Sequence, residues 1–219
     1  MSFDLQLKFL KDLSKNNNRD WFEKNKPRYL EVKAAFDDFV AHQLDELIRF
    51  DKTLHGLNPK KLSFRIYRDV RFSKDKKPYK NNMGATFSPA GKDMGRPGYY
   101  LHIEPGNKSF IAAGLYMPEP EVLAKVRQEI DYNSKALSRI MGGKVKKDFG
   151  DFSDEDKLKR MPKGYPEDHP YREWLKLKSF IVVRNFSDAE VKDQNFLKKF
   201  TALAKTIKPL NDFLSEAIA

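Results

Sequence analysis

Between Lys60 and Lys80 the chain carries nine cations (Lys60, Lys61, Arg65, Arg68, Arg71, Lys74, Lys76, Lys77, Lys80) against two anions (Asp69, Asp75), seven of its formal excess of +11. The densest part, RIYRDVRFSKDKKPYKNN (Arg65–Asn82), also holds Tyr67 and Tyr79. An even excess would bear on little beyond solubility, whereas a localised one attracts anions. Arginine has a planar fork that matches phosphate or carboxylate, so Arg65, Arg68 and Arg71 are the candidates for direct contact. Lys74, Lys77 and Lys80 would add field, and Tyr67 or Tyr79 would stack on or hydrogen-bond a ligand. Asp69 belongs to the same group, able to pair with neighbouring arginines at little net energy.

A structural reading stands beside the binding one. Charges on the solvent face of a strand protect its edge from aggregation, and Asp75 can shape a turn. Arg68 falls on the apolar side of the alternation, where a buried guanidinium needs a partner.

A second constellation is Tyr100, His102 and Glu104, which alternate and would share one face of a strand. His-x-Glu could serve as an acid–base pair or as two metal ligands, and His102 could equally be hydrogen-bonded within a sheet. Two ligands do not make a metal site, and His42, His55 and His169 lie in unrelated contexts. Asp168-His169-Pro170 reads as a helix start with Pro170 at the first helical position. KLKRMPKGY (Lys157–Tyr165) is a second cationic loop, either solvated or completing a basic pocket with the first. In Asn16-Asn17-Asn18-Arg19-Asp20-Trp21-Phe22, Asn18 or Asp20 would cap a helix that Trp21 and Phe22 dock.

Several chemistries are excluded. With no cysteine there is no disulfide, thiolate zinc site or cysteine nucleophile, and a reducing compartment is the natural home. The chain contains no GxxxxGK[ST], strand-linked GxGxxG, HExxH or GxSxG, and nothing in it implies a cofactor. No apolar run approaches the roughly 20 residues that span a bilayer, and the start lacks the pattern of a secretory signal. The expectation is a cytoplasmic protein without a membrane partner.

The elements that must position these residues follow from periodicity. Phe3 to Leu13, and then Tyr29, Val32, Phe36, Phe39, Val40, Leu44 and Leu47, recur at helical steps. Leu62, Phe64, Ile66, Val70 and Phe72 alternate with polar residues, which predicts a half-buried strand followed by a loop stiffened by Pro78. On a straight strand Arg65 and Arg71 would stand roughly 20 Å apart, too far for one phosphate. Met83–Ser88, Tyr99–Glu104, Ser109–Tyr116 and Ser179–Phe186 read as further strands, separated by turns such as SPAGKDMGRPG and EPGNKS. A helix follows Pro120 and stops at Gly142-Gly143, and Ser187 with Glu190 forms a capping box. A terminal helix runs from Phe196 through Phe213, bent at Pro209. Helices at both ends around a central, largely antiparallel sheet give one α+β domain over residues 1–219.

NNRDWFEKNKPRYLE, RIYRDVRFSKDKKPYKNNMGA, AAGLYMPEPEVLAKVRQEIDYN, KLKRMPKGYPEDHP and LKLKSFIVVR occur in this order. Together they resemble the conserved uncharacterised family known as domain of unknown function 2461, from about Asn17 to Arg184. The resemblance implies a self-contained domain and marks the Arg65–Lys80 segment as a hallmark, but it carries over no catalytic residue and no cofactor. The leading expectation is a protein that binds a phosphate-bearing or polyanionic ligand, nucleic acid included. The alternatives are an enzyme on an anionic small molecule using His102 and Glu104, and a non-catalytic interaction domain meeting an acidic partner.

Overall fold

In the computed structural model, which describes residues 1–93 and 95–219, the helical periodicity and most of the strand alternation resolve into elements. The first stretch of chain forms α1 (Asp4–Lys15), α2 (Arg19–Lys24) and α3 (Lys26–Ile48). The middle forms β1 (Met83–Phe87), β2 (Gly98–Ile103) and β3 (Ser109–Leu115), and then α4 (Pro120–Gly142), α5 (Lys144–Phe149) and α6 (Arg172–Leu175). β4 (Phe180–Phe186), α7 (Asp188–Lys192) and α8 (Phe196–Ala217) complete the chain. The four strands make one antiparallel sheet in the order β1-β2-β3-β4, so the fold class is α+β. Met94, within the SPAGKDMGRPG turn, lies outside the described residues.

Contacts gather into two units, each drawn from three stretches of chain. The first comprises Met1–Phe87, Tyr100–Ile111 and Asn185–Thr201. Its core is aromatic: Phe3 packs on Phe39 at 4.6 Å and on Phe196 at 5.5 Å, and Phe186 meets Phe196 edge-on at 4.9 Å. These rings are almost wholly buried, and each contributes roughly 1.5–3 kcal/mol of transfer free energy. Asn18 caps α2 by accepting from the Trp21 amide at 2.9 Å, and the Ser187–Glu190 capping box starts α7. Between β2 and β3, Gly106 (φ 87°) and Asn107 (φ 61°) adopt the left-handed backbone that a tight hairpin turn requires. Asp188 accepts from both of their amides, at 3.0 and 2.9 Å.

The second unit comprises Ser88–Tyr99, Ala112–Arg184 and Ala202–Ala219. Phe152 sets its edge against Phe180 at 5.9 Å and Trp174 at 6.0 Å. Arg127 of α4 donates to the carbonyls of Leu175 (2.8 Å) and Leu177 (3.1 Å), tying the helix to the chain that enters β4. The DHP helix start is corrected here. α6 begins at Arg172, and His169 instead accepts from the Tyr171 amide through Nδ1 and bonds Asp131 through Nε2 at 2.9 Å. The cationic Lys157–Tyr165 loop belongs to this unit, and its Lys157 is paired with Glu173.

The expected strand over Leu62–Phe72 does not form. Only single antiparallel bridges occur there, Ser63 with Ala85 and Tyr67 with Tyr79. The alternation holds for Leu62 and Ile66, which are buried, and then fails, leaving Phe72 94% exposed. The physical reason is local. Past Arg68 the backbone amides and carbonyls are taken by turn contacts with Asp69, Val70 and Asp75 instead of a neighbouring strand.

Gly114 in β3 has φ +121°, and a Cβ added there would stand 2.0 Å from the Phe180 carbonyl oxygen of β4. Gly114→Ala is therefore expected to destabilise the fold by at least about 2 kcal/mol. Gly142→Ala, with open space around its Cβ, is expected to be near neutral. Chemical denaturation of the two variants checks the contrast.

Candidate functional site

The basic segment is a hairpin. The chain first runs beside β1, with the Phe64 amide donating to Gly84 O at 2.8 Å and the Thr86 amide to Leu62 O at 3.2 Å. It then pairs with itself: Arg68 N donates to Pro78 O at 2.9 Å, and Lys80 N to Ile66 O at 2.7 Å. The span calculated for a straight strand therefore does not apply. The loop between these arms is fixed by its own charges. Arg68 donates to Asp75 at 2.8 Å, to Lys77 O at 3.1 Å and to Ser73 Oγ at 3.4 Å. Arg71 grips Asp69 with two bonds of 3.0 and 2.6 Å. The Lys77 amide and then Arg68 hold the Asp75 carboxyl below its ordinary value, and Arg71 does the same for Asp69.

Asn17, in the turn between α1 and α2, clamps the hairpin to that turn. Asn17 accepts from the Tyr79 amide at 3.1 Å, and it donates to Tyr79 O at 3.0 Å and Asn81 Oδ1 at 3.1 Å. The Tyr79 ring, expected to meet a ligand, is 3% exposed and stacks on Phe22 at 4.0 Å with the planes 14° apart. Burial raises its phenol pKa above the ordinary value. Tyr67 remains 44% exposed and leans its edge on Phe22 at 5.9 Å. Arg65 and Lys74 are exposed and make no ion pair among the described residues.

Along β2 the second constellation is joined into a relay. Glu104 can only accept when ionised, so His102 Nε2–H donates to it at 3.0 Å. His102 Nδ1 then accepts from the Tyr100 hydroxyl at 3.2 Å. The imidazole stacks on Phe110 at 4.5 Å, which fixes its plane. Burial is the largest influence on His102 and pushes its pKa below 6.5, against the opposing pull of Glu104. Burial also pushes the Tyr100 phenol up to about 12. Room for the Tyr100 ring exists because residue 84 is glycine: a Cβ there would lie 2.5 Å from its hydroxyl.

The two constellations meet at an open polar depression of about 210 Å3, lined by Arg68, Asp75, Tyr79, Lys80, Asn81, Asn82 and Glu104. Glu104 thus reaches the groove, while His102, with its side chain 12% exposed, stands behind it. Lys80 brings its ammonium 5.5 Å from the Phe64 ring, and its charge adds to the lowering of the His102 pKa. Asn82 is half-buried, and its side-chain amide bonds no described residue. Arg65, Arg71, Lys74 and Lys77 are not among the lining residues. Asn17, Asn81, Asn82 and Gly84 were not identified from sequence as site residues, and the only trace they leave there is the asparagine pair that ends the charge segment and the separate Asn16–Asn18 run far before it. Among the described residues no three His, Asp or Glu side chains gather as a metal site would require.

Residues 6–213 match the model of the family described as "Conserved hypothetical protein (DUF2461)", and the chain belongs to that family. No curated protein and no solved structure matches it.

Two outcomes follow from this geometry. Asn17→Ala removes bonds on both sides of the Tyr79 peptide and is expected to cost about 1–3 kcal/mol, with hydrogen-exchange protection lost at the Tyr79 and Lys80 amides first. Protection there equal to that of the unmodified chain would contradict the clamp. His102 is expected to titrate below 6.5 by NMR. The unfolded chain takes up that proton near 6.5 while the folded imidazole resists it. Stability is therefore lost as pH falls from 6.5 through the folded midpoint and changes no further below it. A midpoint above 6.5 would show that Glu104 outweighs burial.

Proposed function

We propose that this member of the DUF2461 family binds a phosphate-bearing or other anionic ligand on the Arg65–Asn82 hairpin, with the groove as the contact point. The observation that carries the reading is the groove lining, in which Arg68 and Lys80 stand beside Asn81 and the unpartnered Asn82 amide, and the carboxylate of Glu104 in the same lining is engaged by His102. Asp75 is taken up by Arg68 and the Lys77 amide, so it is not an open repulsive charge. Arg65, Arg71, Lys74 and Lys77 lie outside the lining, where they supply field that draws anions in. Tyr67 is the exposed tyrosine of the hairpin, and Asp69 serves to orient Arg71. A chain without cysteine suits such a role in the reducing cytoplasm.

A second reading, an enzyme on an anionic small molecule, draws on the relay from Tyr100 through His102 to Glu104. Glu104 would exchange a proton with the ligand, and His102 would act as a positioning residue that holds the carboxylate. On this reading Glu104→Gln leaves ligand affinity in place and abolishes turnover.

The binding reading is tested by calorimetric titration of inorganic phosphate at low ionic strength. Asn82→Ala is expected to weaken binding by about 1.5–3 kcal/mol, the range for a hydrogen bond to a charged group, with an unchanged melting temperature. Raising the salt is expected to weaken binding in every variant. Absence of binding at low salt, or equal affinity in Asn82→Ala, would contradict it.

A further inference from the structure

We propose that the tip of the hairpin is a stacking site for an unpaired base of single-stranded nucleic acid. This inference rests on the anion-binding reading above and names the ligand class. Phe72 is 94% exposed, more than any other large hydrophobic side chain among the described residues. A ring so open adds nothing to the core, yet it sits on the most cationic part of the chain. The Arg71 guanidinium stands 5.8 Å from the ring centroid.

The surroundings of Phe72 suit a polyanion. The two acids of the loop are neutralised within it, Asp69 by Arg71 and Asp75 by Arg68. Lys74, Lys76 and Lys77 are exposed, so the outward charge of the tip is positive. The same internal bonds fix the loop before any ligand arrives, which lowers the ordering cost of binding. Pro78 stiffens the returning arm.

Among polyanions, geometry favours an open strand. A single aromatic face suffices to stack one base, and cations beside it follow the phosphates. In a duplex the base faces are already covered by their neighbours. A bilayer or a protein partner would call for apolar area. Phe72 has Arg71 and Ser73 on either side in the chain, and the nearest aliphatic residue, Val70, is partly buried. Depth of insertion into lipid grows with apolar surface, and one ring flanked by charge offers little.

The test is fluorescence anisotropy with a short labelled oligothymidylate, a duplex of the same length, and phosphatidylserine vesicles as a third probe. The oligothymidylate is expected to bind most tightly, with affinity falling steeply between about 50 and 200 mM salt. Phe72→Ala is expected to weaken it about 5- to 150-fold while leaving the salt slope unchanged, because the ring neutralises no phosphate. Phe72→Trp is expected to retain binding, with its indole fluorescence quenched by the bound base. Since Phe72 is solvent-exposed, neither variant threatens folding.

Equal affinity in Phe72→Ala, duplex binding as tight as single-strand binding, or Phe72-dependent capture of vesicles would each overturn the inference. Inorganic phosphate titrated in parallel separates the two readings. Phosphate binding without oligothymidylate binding removes the stacking site and leaves the groove. Oligothymidylate binding that depends on Phe72, without phosphate binding, removes the groove and leaves the stacking site.

Discussion

The Asn17 side chain is the constraint on which the first unit's working surface depends. One amide group satisfies both the N–H and the C=O of Tyr79 and reaches Asn81 as well. A backbone strand would do the same for one residue, so Asn17 substitutes for the missing neighbour of an irregular arm. The Phe22–Tyr79 stack adds apolar area on the other side of that backbone. Together they hold Lys80, Asn81 and Asn82 in the wall of the groove. This anchor adds to the cross-arm backbone bonds and the internal ion pairs that oppose the repulsion of a segment rich in like charge.

Charge in the hairpin is divided by role. Arg68 and Arg71 are structural as well as cationic, each tied to an aspartate in its own loop. Such exposed pairs contribute little stability individually, but they set the shape of a loop that has no sheet to lean on. Around the groove itself, Arg68 and Lys80 face Asp75 and Glu104, so it is a mixed polar site and not a purely cationic cup. The relay behind Glu104 extends the polar surface inward along β2 to Tyr100.

Much of the fold was legible because helices and regular strands announce themselves by period. β1, β2, β3 and β4 fall within a residue or two of their expected bounds, and the Ser187 and Asn18 caps form with the partners their spacing requires. The shared face of Tyr100, His102 and Glu104 follows from alternation alone, and their bonds confirm that geometry. What alternation could not reveal was where pairing stops. Leu62 and Ile66 obey it and are buried, the first held beside β1 and the second paired with the returning arm at Lys80. Phe72 obeys it in sequence and lies in solvent, because loop-internal ion pairs replaced the ladder. The site was legible as a charge segment but not as a groove, since its walls come from Asn17, Asn81 and Asn82. Single amides carry no periodic signal, and their value depends on which backbone they happen to meet.

The central claim is that the clamped hairpin presents a built anion site. Chemical-shift mapping with inorganic phosphate at low salt tests it most directly. The account predicts saturable shifts confined to the amides of Arg68, Lys80, Asn81, Asn82 and Glu104, together with the Asn82 side chain. Weak, unsaturable shifts scattered over the exposed lysines of both units would contradict it.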